Sequence, residues 1–136
     1  MKTLNLLAIA AALLAAPAFA ADPAAGEDGF KKCKACHSIV APDGTEIQKG
    51  GRTGPNLYGV IGQRIASDPD FAYGESLAAL GATGAVWDEA SLAAYTADPA
   101  GYLKATLGDQ SAKSKMSFKL AKGSEDVAAY LAAVAK

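Results

Sequence analysis

The sequence predicts an all-α domain of about four or five short helices connected by long loops. The clearest helical signal lies near the carboxyl end, where Val127, Tyr130, Leu131 and Val134 recur at the i, i+3, i+4 and i+7 spacing of one helix face. The clearest loop signal is segment 38–62, which holds six glycines and two prolines and has no regular period. An ordered loop of this length inside a compact domain usually serves a function.

The first and last helices are expected to pack against each other. Asp22-Pro23 is typical of a helix start, and the helix that follows carries Gly26 and Phe30 on one face, four residues apart. Ser124 is the predicted N-cap of the last helix. The apolar face of that helix would meet the first helix at Gly26, because a glycine lets two helices approach closely.

The helices between them are predicted to be short and to be separated by glycine, aspartate and proline. They comprise residues 75–80 between Gly74 and Gly81, a helix capped by Asp88 that runs through Leu92 and Tyr95, and residues 100–106 after Asp98-Pro99. Segment 108–117 is polar and is expected to be irregular. No internal repeat or interdomain linker interrupts the chain, so one domain with a small core is expected.

The amino-terminal 20 residues have the composition of a secretory signal peptide. Met1-Lys2 is positively charged, residues 4–14 are almost continuously apolar, and Ala18-Phe19-Ala20 fits the small-x-small cleavage rule. We expect residues 1–20 to be removed near Ala20 and residues 21–136 to reach the bacterial periplasm. A retained membrane anchor is the alternative, but the apolar run is too short for a permanent span and no stop-transfer pattern follows.

Net charge argues against nucleic acid as a partner. Lys2 is the only basic residue of the predicted signal peptide, so the domain keeps 12 lysines and arginines beside all 14 aspartates and glutamates. Nucleic-acid-binding domains are usually strongly basic. The charge distribution, rather than the total, must therefore indicate the partner.

The residues Cys33-Lys34-Ala35-Cys36-His37 form a C-x-x-C-H pattern, which is a signature of c-type haem attachment. Each thiol can add to one of the two haem vinyl groups, and this spacing leaves the next side chain beneath the iron. His37 is the only histidine of the chain, so the pattern predicts one covalent haem with His37 as an axial ligand.

Two other roles are open to the cysteines. A structural disulfide is expected in exported proteins, but a bridge between Cys33 and Cys36 would close a very small loop and add little stability. A redox-active dithiol is the better rival, although such sites belong to a strand-helix-strand context that the surrounding sequence does not show.

Met116 is the candidate for the second axial ligand. No second histidine exists, and the only other methionine, Met1, belongs to the predicted signal peptide. Histidine with methionine is a known ligand pair of c-type haem. Most methionines are core filler, which is the alternative here, but Ser114-Lys115-Met116-Ser117 is polar on both sides of the sulfur.

The chain resembles the soluble class I c-type cytochromes, and most closely the larger periplasmic cytochrome c2 and c-550 members. The matching features extend in order over nearly the whole predicted domain: Gly26 and Phe30, Cys33 to His37, Thr53 to Gly59 (TGPNLYG), Gly62-Gln63-Arg64, Phe71 to Gly74 (FAYG), Trp87, Tyr95, Pro99, Lys115 to Phe118 (KMSF), and Tyr130-Leu131. The loops between Tyr73 and Trp87 and before Met116 are longer than in the small mitochondrial-type proteins. The resemblance implies a single cytochrome c domain wrapped around a covalent haem.

The resemblance also assigns roles to individual residues. The Pro55 carbonyl would accept the Nδ1 proton of His37, Tyr95 would donate to the Met116 sulfur, and Phe118 would pack beside the exposed haem edge. The propionates would be held by Arg64, Tyr73 and Trp87. Each residue has a simpler alternative, since Arg64 could be a solvated charge and the aromatic side chains could belong to the core.

A haem with both axial positions filled by protein has no open site for substrate, which favours an electron carrier over an enzyme. The alternative is a haem enzyme such as a peroxidase or a gas-binding cytochrome, which would require Met116 to dissociate. The family suggests a cytochrome bc-type donor and a photosynthetic reaction centre or a terminal oxidase as acceptor.

Lysines near the two predicted ligands suggest how partners dock. Seven lysines lie close in sequence to the cysteines or to Met116, and we call them the lysine set: Lys31, Lys32, Lys34, Lys113, Lys115, Lys119 and Lys122. We expect a monomer that meets acidic surfaces of membrane redox complexes through this set, touches the membrane only peripherally and binds no nucleic acid. Solvated lysines without a partner are the alternative.

Overall fold

The computed structural model describes residues 20–135, and the signal peptide expected at residues 1–20 lies outside this range except for Ala20. Five α-helices lie in the described chain: α1 (Pro23–Gly29), α2 (Glu75–Ala82), α3 (Glu89–Ala97), α4 (Pro99–Leu107) and α5 (Ser124–Val134). A short 3-10 helix, Phe30–Lys32, continues α1. The expected all-α fold is therefore confirmed. None of the helices within residues 20–135 is both long and apolar enough to cross a membrane.

Helices α1 and α5 form the closest helix pair of the fold. A Cβ placed on Gly26 would overlap the backbone carbonyl of Asp126 and would lie 2.8 Å from the Cβ of Tyr130. Phe30 is fully buried, and its ring centroid lies 6.0 Å from that of Tyr130. Only glycine fits at residue 26, so the predicted packing of the first helix against the last is observed.

Aspartates start α3 and α4. The Asp88 carboxylate accepts from the Ser91 amide at 2.7 Å, and the Ser91 hydroxyl accepts in turn from the Asp88 amide at 3.0 Å. Asp98 ends α3 and accepts from the Gly101 amide at 3.3 Å, ahead of Pro99 in the first turn of α4. These caps satisfy amides that have no partner within the helix.

The prediction that segment 38–62 contains no strand is wrong in part. Strands β1 (Ile39–Val40) and β2 (Glu46–Gln48) pair as an antiparallel hairpin with a bulge. Gly44 makes the connecting turn at φ +87°, a conformation that favours glycine. Strands of two and three residues are too short to show a period, so the glycines around them dominate the sequence pattern.

The predicted N-cap of α5 is also wrong. Ser124 is the first residue of the helix, and the cap position belongs to Gly123 at φ +79°, which offers no side-chain hydrogen bond. The Ser124 hydroxyl instead donates to the carboxylate of Glu125 at 3.2 Å. Glu125 and Asp126 place negative charge in the first turn, where it is favourable with the helix dipole.

Candidate haem-binding site

The C-x-x-C-H residues form one tight turn that follows the 3-10 helix. The amides of Cys36 and His37 both donate to the Cys33 carbonyl, at 3.1 and 2.9 Å. Both thiols are free, with Cys33 half-buried and Cys36 exposed, so the disulfide considered above is not formed in this structure. The turn therefore brings two free thiols and the imidazole of His37 together within five residues.

Three glycines let the following loop lie directly against this turn. A Cβ on Gly50 or Gly51 would overlap the carbonyl of His37 or Ala35. A Cβ on Gly54 would lie 2.7 Å from both Nδ1 and Nε2 of His37. The imidazole therefore lies flat against a backbone that has no side chain at residue 54.

The orientation of His37 is fixed by a hydrogen bond to the residue that follows Gly54. Its Nδ1 lies 2.8 Å from the carbonyl oxygen of Pro55, which can only accept, so Nδ1 carries the proton. Burial lowers the pKa of His37, and the Pro55 hydrogen bond opposes this effect more weakly. The imidazole is consequently neutral, and Nε2 keeps a lone pair for a metal ion.

The core borders a set of apolar side chains that remain partly exposed. These side chains pack against the buried core and keep part of their surface exposed: Cys33, Leu57, Tyr58, Ile61, Ala66, Leu77, Ala85, Tyr102, Leu107, Met116 and Val134. A flat apolar cofactor would bury such surface and gain about 25 cal/mol per Å². Two free thiols, a neutral imidazole and uncovered apolar surface therefore fit a covalently attached haem.

Met116 lies in an irregular segment that hydrogen bonds hold in place. Its amide donates to the hydroxyl of Ser114 at 3.1 Å, and Lys115 Nζ donates to the Ala72 carbonyl at 2.8 Å. Four residues beyond Met116, the Leu120 amide donates to the Thr96 carbonyl of α3 at 2.8 Å. The methionine is half-buried against the core.

Tyr95 belongs to an aromatic cluster beside this segment. Its ring centroid lies 5.1 Å from that of Trp87 and 5.9 Å from that of Tyr102. The hydroxyl lies 3.4 Å from Ser114 Oγ, and among the hydrogen bonds of residues 20–135 it has none to the Met116 sulfur, which is the partner that the resemblance implies. Burial raises the pKa of Tyr95, so the hydroxyl keeps its proton and can donate.

The other predicted cofactor residues have these positions. Trp87 is buried, with its backbone paired to Gly62 and Gln63. Arg64 is exposed and forms an isolated bridge with Val86. The Tyr73 hydroxyl accepts from the Asp68 amide at 3.3 Å, and Phe118 is 43% exposed. Asn56 and Ser114 received no role from the sequence, although both hydrogen-bond within the segments that carry the predicted ligands.

Relatives with high sequence identity to this chain are bacterial cytochromes named c2 or c-550. The chain is 58% identical to cytochrome c2 of Rhodobacter capsulatus over 134 residues, covering 98% of both chains. It is 50% identical to cytochrome c-550 of Paracoccus versutus, covering 97% of this chain and 88% of that one. The solved structure of cytochrome c2 from Rhodobacter capsulatus superposes with a TM-score of 0.83 at 59% identity, covering 85% of this chain and 99% of the other. The chain belongs to the class I c-type cytochromes.

Membership of the c-type cytochromes establishes the cofactor and the general activity. The cytochrome binds a covalent haem c, for which Cys33 and Cys36 have the required spacing, and it is an electron carrier. The comparisons do not support the peroxidase alternative. No protein-family model matches the chain.

Proposed function

We propose that this cytochrome carries single electrons in the periplasm, from a cytochrome bc-type complex to a reaction centre or terminal oxidase, with His37 and Met116 as axial ligands. Cys33 and Cys36 would hold the haem through thioethers. The haem supplies a one-electron iron couple. The chain holds its ligands in place and keeps water from the site.

The geometry around His37 is the observation that carries this proposal. Its ring is held between Gly54 and the Pro55 carbonyl, with Nδ1 protonated and Nε2 free. A hydrogen bond from the second nitrogen fixes the tautomer of a ligating histidine and raises its basicity. A ligand held in this way changes little between oxidation states, which suits electron transfer.

Met116 is the second half of the ligand pair. It is the only methionine among residues 20–135, it is half-buried, and it lies in a segment hydrogen-bonded at residues 115, 116 and 120. A thioether raises the reduction potential relative to nitrogen ligands. With both axial positions occupied, no substrate can reach the iron, so we propose that the protein is not an enzyme.

Replacement of Met116 by alanine tests the closed site. We expect Met116→Ala to lower the reduction potential, to remove the sulfur-to-iron charge-transfer absorption, and to let the ferrous protein bind carbon monoxide at neutral pH. Leu107→Ala is the control, because Leu107 also packs partly exposed against the core without a donor atom. An unchanged spectrum and potential in Met116→Ala would show that another residue ligates.

The lysine set offers a docking surface, although two of its members already have carboxylate partners. Lys31 pairs with Asp28, and Lys119 pairs with Asp98 at 3.0 Å. We expect Lys32→Gln to slow reduction by a detergent-solubilised bc-type complex at low salt and to have little effect at high salt. Lys104→Gln, which removes the same charge from α4, outside the set, serves as the control. Equal slowing by both variants would argue against a localised docking surface.

Export completes the proposal. The composition of residues 1–20 supports a signal peptide removed near Ala20, which leaves one domain at 21–136. Amino-terminal sequencing of haem-containing protein from a periplasmic extract tests this part. Retention of residues 1–20 in that protein would contradict it.

A further inference from the structure

Segments 36–40 and 54–58 lie side by side and are joined at successive residues. The Gly54 amide donates to the Cys36 carbonyl at 2.8 Å, and the Leu57 amide donates to the Ser38 carbonyl at 3.0 Å. Between these two bonds, His37 Nδ1 meets the Pro55 carbonyl at 2.8 Å. The histidine is therefore held by a ladder of contacts rather than by one isolated hydrogen bond.

Asn56 continues this ladder with its side chain. The Val40 amide donates to Asn56 Oδ1 at 2.9 Å, while Asn56 Nδ2 donates to the Val40 carbonyl at 2.8 Å. One side-chain amide thus pairs with both backbone groups of a single residue, as an opposing peptide does in an antiparallel sheet. The last contact of the ladder therefore joins Val40, three residues after His37, to Asn56, the residue after Pro55.

A simpler role for Asn56 is to shape its own turn. Its Oδ1 also accepts from the Tyr58 amide at 3.1 Å, which is the local pattern of an Asx turn. That bond alone would explain an asparagine at this position. The two bonds to Val40 cross 16 residues of sequence and are not needed for a turn.

We propose that Asn56 is a positioning residue that holds the Pro55 carbonyl against His37 and so tunes the haem potential. This inference rests on the proposed ligation by His37. The Pro55 hydrogen bond makes the imidazole a stronger donor, and a stronger donor stabilises ferric iron. When the pairing of Asn56 with Val40 is lost, segment 54–58 is held less firmly against segment 36–40, and the hydrogen bond between Pro55 and His37 weakens. The ferrous form then becomes more stable relative to the ferric form.

Two substitutions separate the pairing from the turn. In Asn56→Ser the short hydroxyl can still accept from the Tyr58 amide but cannot reach both backbone groups of Val40. Asn56→Ala loses both interactions. The matched control is Gln48→Ala, which removes one side-chain amide hydrogen bond of the same hairpin, to the Tyr130 hydroxyl at 2.9 Å.

Redox titration and proton NMR of the His37 ring in the haem-loaded proteins test the inference. Asn56→Ser and Asn56→Ala are both expected to shift the ferrous-to-ferric equilibrium about threefold toward ferrous, roughly 30 mV for a one-electron couple, and to move the His37 ring resonances. Gln48→Ala is expected to reduce thermal stability while leaving both readouts unchanged.

The outcomes also distinguish this inference from the ligation on which it rests. The inference is overturned if both Asn56 variants are less stable but keep the wild-type potential and the wild-type His37 resonances. It is also overturned if Asn56→Ser alone keeps the wild-type potential. Absence of an iron-bound imidazole in the wild-type spectrum would instead refute His37 ligation.

Discussion

The carboxylate of Asp98 and the ammonium group of Lys119 lie 3.0 Å apart and join the α3–α4 corner to the segment that follows Met116. The next residue of that segment, Leu120, donates its amide to the carbonyl of Thr96 in α3. Two consecutive residues thus tie this segment to one helix end. The tie lies three and four residues after the proposed sulfur ligand, so it restrains how far that ligand can move.

Breaking the ion pair should loosen this segment without unfolding α4. Asp98→Asn removes the charge but keeps a side chain that caps helices well. Because both partners are more than half exposed, we expect the melting temperature to fall by a few degrees at most. Dissociation of the sixth ligand, measured as cyanide binding to the ferric protein, should become faster. Asp70→Asn is the control, since it removes the same negative charge from an exposed carboxylate that forms no ion pair with residues 20–135. An equal effect of both variants would assign the change to net charge.

The same pair predicts a pH dependence. The hydrogen bond from Lys119, followed by that from the Gly101 amide, lowers the pKa of Asp98 below its ordinary value. A carboxyl group with a lowered pKa contributes stability above its unfolded pKa, and this contribution is lost as pH falls through the folded pKa. Wild type should therefore melt at a higher temperature than Lys119→Gln, and this difference should have its full size at neutral pH and become smaller below about pH 4. A difference that persists unchanged in acid would exclude the carboxylate as the cause.

Gly26→Ala should be the more damaging of two glycine substitutions in α1. The new methyl group would overlap the Asp126 carbonyl, which is backbone and cannot rotate away, so we expect a loss of about 1–3 kcal/mol or more. In Gly29→Ala, three residues further on, the methyl group would meet only Cγ2 of Val127 at 3.1 Å, and a side chain can adjust. Chemical denaturation of both variants measures the difference. Equal losses would mean that the overlap with Asp126 is not what sets the cost, because both substitutions improve helix propensity by the same amount.

Local chemistry made most of the fold predictable, whereas contacts between distant segments were not. The pairs Asp22-Pro23 and Asp98-Pro99 and the cap Asp88 each act within one helical turn, and the structure has helices beginning after all three. The hairpin at 39–48 depends on pairing between strands too short to show a period. The cysteines and the histidine lie within five residues, so the sequence motif was enough to predict their site. The hydrogen bonds from Asn56 to Val40 could not be predicted, because they depend on the folded path of a glycine-rich loop.

Gly54→Ala should disturb the haem rather than the fold. Its methyl group would lie 2.7 Å from both nitrogens of His37, so the ring must tilt or leave the Pro55 carbonyl. We expect a changed axial ligand field in the ferric spectrum and a changed potential. Gly44→Ala is the control, because φ +87° at the hairpin turn strains alanine by about 1–2 kcal/mol while nothing lies near the new methyl group. A normal haem spectrum in Gly54→Ala would show that His37 tolerates displacement.

The hydroxyl of Tyr95 has two candidate partners, and mutants can show which one it uses in the haem-loaded protein. If Ser114 is the partner, Ser114→Ala leaves the buried Tyr95 hydroxyl without a hydrogen bond, which costs about 1–3 kcal/mol, and it also removes the acceptor of the Met116 amide. Tyr95→Phe removes the hydroxyl itself and should cost less. The double variant should then be no less stable than Ser114→Ala, and the coupling measured by urea unfolding would be favourable. If the hydroxyl donates to the Met116 sulfur instead, Tyr95→Phe alone should shift the potential, and the two substitutions should add.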